Sequence, residues 1–496
     1  MSLGKKVFSS AVLLFIRKIW GNAINLVVMA FLARLLSKED FGLLAISSVF
    51  LGIINTLATS GIAEYIVYYD GDDRDQKINA AFWLNLLLTL AVIAIVAMTG
   101  PVWADFYQNE KIYSLLLLLS VSFFFEMSST VPRALLRKEL EYKTLVYYSS
   151  ISMTVVSVGK LVAAWLGFGV YSLALPQAIV SPLLMTSFFL KKNWKPYTHF
   201  GIAHFKAIVK YCRHIIGGRI LAKLVNEGDN LIVGKFIGLD GLGIYALAFQ
   251  LANLVTTNVV VLVSDIFLPL LSKVKGDIER LRQLYGRMIQ FLSFISFPLT
   301  TALVIGAEPI VYFIYGEKWL DAVVPFQILC AFALGRSLSS PSSSLFNAMG
   351  RPDIGFKFTL YFTPVFLASV FLGSQFGVIG VALATTVVRV LGSVISLNLS
   401  LNLIQLQLTD LYRIIKSNLI STFVIVGIFS WSFYSDFESE KWILLFLIPF
   451  VLYFHILFQR FLFYSQVDSF FLELKKNMNY GHEVIRKFFF LKNQYS

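Results

Sequence analysis

Charge is what this sequence has little of: charged residues fill 14% of its 496 positions, against about 25% in ordinary soluble domains. With 57% apolar residues, the shortage excludes a large soluble core and points to an all-α polytopic membrane protein. Cysteine is equally scarce, and Cys212 and Cys330 make no disulfide framework. The five histidines, His199, His204, His214, His455 and His482, lack the spacing of a metal site. Nothing matches a phosphate-cradling P-loop. No metal, cofactor or ATP hydrolysis is therefore expected. The connections expected outside are short, Asp436 to Lys441 for example, with no room for carboxylates held over a sugar donor; no catalytic residue is assigned. No cleavable leader is evident, and the first apolar run, preceded by Lys5 and Lys6, reads as an uncleaved entry signal.

What is present is a series of apolar runs of about 20 residues, each long enough to span a bilayer. They fall near 8–36, 41–69, 78–103, 111–131, 144–167, 169–190, 208–237, 241–269, 286–315, 322–349, 355–376, 378–404, 412–434 and 442–464. Fourteen spans put both termini on one side. The net charge of +13 belongs to no visible nucleic-acid module, because the bases lie between apolar runs. With a cytoplasmic N-terminus, 29 of the 42 Lys and Arg residues fall on the cytoplasmic side, 6 on the other and 7 inside spans, as the positive-inside rule demands.

The chain repeats itself. Lys18, Asn22 and Asn25 return 201 residues later as Arg219, Lys223 and Asn226, a polar stripe at i, i+4, i+7 along one helical face. Phe41-Gly42-Leu43-Leu44-Ala45 returns as Leu242-Gly243-Ile244-Tyr245-Ala246, and Gly167-Phe168-Gly169-Val170 as Gln375-Phe376-Gly377-Val378 at an offset of 208. The expected organisation is a six-helix bundle at 1–190, a cytoplasmic linker at 191–207 and a second, parallel six-helix bundle at 208–405. An additional helix pair at 406–464 and a basic cytoplasmic tail at 465–496 complete it. Such duplication is how transporters are built.

Several stretches resemble one family, the polysaccharide-transport flippases of the multidrug/oligosaccharidyl-lipid/polysaccharide exporter superfamily. They are Arg133-Ala134-Leu135-Leu136-Arg137-Lys138-Glu139-Leu140-Glu141-Tyr142-Lys143, Phe267-Leu268-Pro269-Leu270-Leu271-Ser272, Gly316-Glu317-Lys318-Trp319 and Asn347-Ala348-Met349-Gly350-Arg351-Pro352-Asp353. The resemblance implies a V-shaped pair of six-helix bundles that carries a polyprenyl-diphosphate-linked oligosaccharide from the inner to the outer leaflet of the cytoplasmic membrane. It implies membrane lipids, a polysaccharide polymerase and chain-length proteins as partners, and no nucleic acid.

Seven bases lie inside spans: Arg17, Lys18, Lys160, Arg219, Lys223, Arg336 and Arg389. A cation at the bilayer centre costs roughly 2.5–3.5 kcal/mol on insertion scales, so most must face a wet cavity or an acid. A basic cavity would attract a lipid diphosphate. Lys18, Asn22, Asn25, Arg219, Lys223, Asn226, Arg336 and Arg389 are the candidate substrate-binding residues. Lys223 stands four residues before Glu227, the spacing of an internal ion pair, while Arg17 reads as a residue that snorkels or packs and Lys160 as one that snorkels. Glu64 and Asp265, equivalent under the repeat, are candidate ion-coupling residues, with interfacial pairing to loop bases as the alternative. Two rival functions remain: an ion-coupled exporter of cationic small molecules, whose cavity would be acidic, and a membrane-embedded glycosyltransferase or polysaccharide polymerase.

Overall fold

The computed structural model describes residues 3–59, 61–71, 73–197, 202–434, 451 and 453–455. The expected tail 465–496 and most of the span 442–464 lie outside the described residues. Among the described residues the chain is helical, with no strand. In order the helices are α1 (Leu3–Leu35), α2 (Lys38–Thr59), α3 (Ile62–Tyr68), α4 (Arg74–Tyr107), α5 (Lys111–Ser128), α6 (Thr130–Lys138), α7 (Tyr142–Trp165) and α8 (Leu175–Lys192). They continue as α9 (Ile202–Phe236), α10 (Leu239–Lys273), α11 (Ile278–Ile305), α12 (Ala307–Tyr315), α13 (Val323–Ala348), α14 (Pro352–Ser374), α15 (Gly377–Leu403) and α16 (Leu408–Tyr434). Short 3₁₀ turns at Gly169–Leu173 and Glu317–Ala322 precede α8 and α13.

Local chemistry sets the breaks. Ser37 and Asp40 cap α2 reciprocally: the Ser37 amide donates to Asp40 Oδ2 at 3.0 Å and the Asp40 amide to Ser37 Oγ at 3.1 Å, satisfying donors that a helix start leaves open. The position 201 residues later is Gly238, at φ 97°, a left-handed conformation that glycine adopts at little cost. Gly169 and Gly377, paired by the repeat, are also both left-handed, at φ 53° and 70°.

Among the described residues, nine helical segments are long and apolar enough to cross a membrane, and the exposed faces agree with that reading. On α7, Tyr147, Ile151, Val155, Val158, Val162 and Trp165 form an exposed apolar stripe at three- and four-residue steps. On α15, Ile379, Leu383, Val387, Leu391 and Ile395 do the same. Such stripes would be untenable in water at this length and are the expected face toward hydrocarbon.

The helices pack into two compact units. The first comprises Met1–Gln250, Val311–Leu329 and Phe356–Val388; the second comprises Leu251–Ile310, Cys330–Gly355 and Arg389–Ser496. The expected domain boundaries run in chain order, whereas these packing units draw on discontinuous segments. Within the first, Leu32, Leu43, Ile46, Tyr245 and Trp319 are fully buried. Within the second, Tyr285 is fully buried and shares its hydroxyl with Ser400 (2.6 Å) and Ser342 (3.2 Å), so the polar groups of that core satisfy one another.

Candidate functional site

A cavity of about 350 Å³ lies in the first unit, walled by α1, α5, α6, α7 and α8. Its position follows from the faces of α7. Opposite the exposed stripe, Ser149, Ser152, Val156 and Lys160 point the other way and line the cavity. Arg17 and Asn25 enter from α1, Glu126 from α5, Arg133 and Arg137 from α6, and Gln177 and Ser181 from α8. Four cations thus face one acid in the lining.

Two of the cations are held in place. Arg17 Nη1 donates to Ser149 Oγ at 3.1 Å. Arg133 lies 3.8 Å from Glu126 and over the Phe188 ring at 5.8 Å from its centroid, a contact that favours a guanidinium on an aromatic face. Lys160 has no carboxylate partner among the described residues. With hydroxyls and an amide between the cations, the cavity can hydrogen-bond a polar, anionic guest.

The sequence-selected residues divide among several places. Asn25 lines the cavity, whereas Lys18 and Asn22, on the same helix, are half-buried and do not. Arg17, read from sequence as a residue that snorkels or packs, enters where Lys18 was favoured. Arg219 Nη2 pairs with Glu64 Oε1 at 2.8 Å, which joins a candidate substrate residue to a candidate ion-coupling one. Lys223 pairs with Glu227 at 2.5 Å, the expected i, i+4 pair, and lies against α2 where Gly52 has no side chain: a Cβ there would sit 2.4 Å from Lys223 Nζ. Asn226 turns back onto its own helix and donates to the Ala222 carbonyl at 2.7 Å. The Asp265 side chain lies outside the described residues.

In the second unit, Arg336 donates to Asn253 Oδ1 at 3.0 Å. Arg389 is buried with its guanidinium 4.8 Å from the Phe332 ring centroid. Ser339 and Ser393 join the two helices at 3.2 Å, so the helices that carry Arg336 and Arg389 share a polar contact.

Arg17, Arg133, Arg137 and Lys160 are the cavity cations that sequence reading did not select. Arg133 and Arg137 had a usable signal: they stand four residues apart, on one face of a helix, inside a family-like segment.

Residues 31–324 match the family model described as "Polysaccharide biosynthesis protein". The chain belongs to that family. Among the proteins similar to this chain is the lipopolysaccharide biosynthesis protein WzxC of Escherichia coli K12, 28% identical over 80% of this chain and 81% of that protein. The teichuronic acid biosynthesis protein TuaB of Bacillus subtilis 168 is 25% identical over 71% of this chain and 73% of its own length. A solved structure of the lipid II flippase MurJ, in an inward closed conformation, shares the fold with a TM-score of 0.71 at 18% identity, covering 92% of this chain and 99% of that one. This member of the polysaccharide biosynthesis family is a multi-span membrane protein that shares its fold with the MurJ structure.

Proposed function

We propose that this chain is a flippase that moves polyprenyl-diphosphate-linked oligosaccharide repeat units across the cytoplasmic membrane by alternating access, for surface polysaccharide assembly. In this reading it has fourteen spans: two parallel six-helix repeats, at 1–190 and 208–405, and a further pair at 406–464, with both termini cytoplasmic. The observation that carries the proposal is the cavity in which Arg17, Arg133, Arg137 and Lys160 face Glu126 alone. A lipid diphosphate is an anion with several acceptor oxygens, and guanidinium groups bind such oxygens through paired N–H donors.

The polar stripes and, in the second unit, the Arg336–Arg389 surface are further candidate glycan contacts in this reading. An exporter of organic cations would need the opposite polarity, since a cation entering this cavity meets net positive charge. Coupling to an ion through Glu64 and Asp265 is the weaker reading, because Glu64 is committed to Arg219.

The test is a cell that depends on this protein for its surface polysaccharide. Arg133→Ala combined with Arg137→Ala should reduce surface polysaccharide by at least tenfold while the protein still inserts at normal levels. Normal surface glycan in the double variant would overturn the cavity's role.

A further inference from the structure

The cavity has two charged ends. Arg17 is tied to Ser149, and Arg133 and Arg137 sit on the neighbouring α6. Lys160 is on the same face of α7, eleven residues beyond Ser149, which at 1.5 Å per residue is about 16 Å along the helix. The lining acid, Glu126, stands beside Arg133 at the arginine end. Lys160 is therefore left with no opposite charge among the described residues. Nor does it belong to the lipid-facing stripe of α7, so snorkelling along that face does not account for it.

One diphosphate cannot touch both ends, because its phosphates are separated by a single bridging oxygen. Between the ends lie Ser152, Ser157, Gln177 and Ser181, whose hydroxyl and amide groups suit sugar hydroxyls. We infer that the repeat unit carried here is acidic: its diphosphate lies at the arginine end, and a carboxylate on its second or third sugar meets Lys160. Lys160 is then the specificity-determining residue that distinguishes acidic from neutral glycans. This rests on the flippase reading above. A neutral unit would leave the ammonium half-buried and unpaired, which is costly, whereas a carboxylate supplies a charged hydrogen bond.

The test uses the full chain in lipid nanodiscs and polyprenyl-diphosphate-linked trisaccharides. In two probes glucuronic acid occupies the second or the third position; the third probe is neutral throughout. Wild type should bind one of the acidic probes about tenfold more tightly than the neutral one. Lys160→Gln should collapse that ratio to near one, and Lys160→Arg should retain it. Equal binding of all three probes to wild type overturns the inference and leaves the flippase reading standing. A ratio that survives in Lys160→Gln overturns it as well. Failure of every probe to bind wild type overturns both.

Discussion

Arg219 and Glu64 meet at 2.8 Å with 47% and 48% of their side chains exposed, and that exposure decides what the contact is worth. Ion pairs in such surroundings contribute about 0–1 kcal/mol, because water screens the attraction and two long side chains must be held still. Glu64→Gln should therefore lower the thermal unfolding midpoint only slightly. It should also leave the ion dependence of transport unchanged, because the carboxylate already has a guanidinium to neutralise it and has no need of a transported cation. Loss of ion dependence in Glu64→Gln, measured in proteoliposomes with an imposed gradient, would restore this residue as the coupling site. Lys223 and Glu227 were legible as a pair because i, i+4 spacing on one helix fixes proximity. Arg219 and Glu64 were not, because they lie on different helices 155 residues apart and no local rule connects them. The same limit hid Lys160. Its sequence context says only that a cation interrupts an apolar run; which face it occupies follows from the neighbours of α7.

Where α2 and α10 begin, the two helices approach one another as closely as backbones allow. A Cβ on Gly42 would sit 2.0 Å from the Leu239 carbonyl oxygen, and a Cβ on Gly243 would sit 2.0 Å from the Lys38 carbonyl oxygen. The contact is reciprocal, and both its partners are related by 201 positions: Gly42 to Gly243 and Lys38 to Leu239. The duplication visible in the sequence thus identified equivalent residues. That equivalent residues touch was not legible, since a repeat states likeness and says nothing of adjacency. The obstruction is a carbonyl and not a flexible side chain, so the helices must move apart to admit a methyl group. Gly42→Ala and Gly243→Ala should each destabilise the protein by about 1–3 kcal/mol, the usual range for overpacking, and should lower transport. Gly276→Ala, with nothing within 4 Å of its Cβ, should stay within about 0.5 kcal/mol of wild type. Unfolding midpoints of the three variants, followed by tryptophan fluorescence, make the comparison. Either helix-start variant matching Gly276→Ala would mean that the two helices separate freely there.

Across the whole molecule, the strongest sequence signal is the uneven placement of basic residues, with 29 assigned to one side and 6 to the other. The structure explains how most of the six are accommodated. Lys38 pairs with Asp321 at 2.6 Å. Lys235 donates to the Phe106 carbonyl at 2.6 Å and Lys318 to the Leu36 carbonyl at 2.6 Å. Arg34 donates to the Phe313 carbonyl. Cations set against carbonyls at helix C-terminal ends are favourably placed by the helix dipole, so these residues have structural duties that a solvated loop base lacks. The orientation that the bias predicts can be tested directly. Cys212 and Cys330 are buried, which keeps background labelling low. In right-side-out membrane vesicles, an impermeant maleimide should label Glu110→Cys. It should reach Lys195→Cys and Gln405→Cys only after the membrane is opened. A tag after Ser496 should be cleaved by added protease in inside-out vesicles alone, as an even number of spans requires. The reverse labelling pattern would invert the topology and with it the direction of transport. A C-terminal tag cleaved in right-side-out vesicles while the three cysteines behave as expected would instead reduce the two C-terminal spans to one.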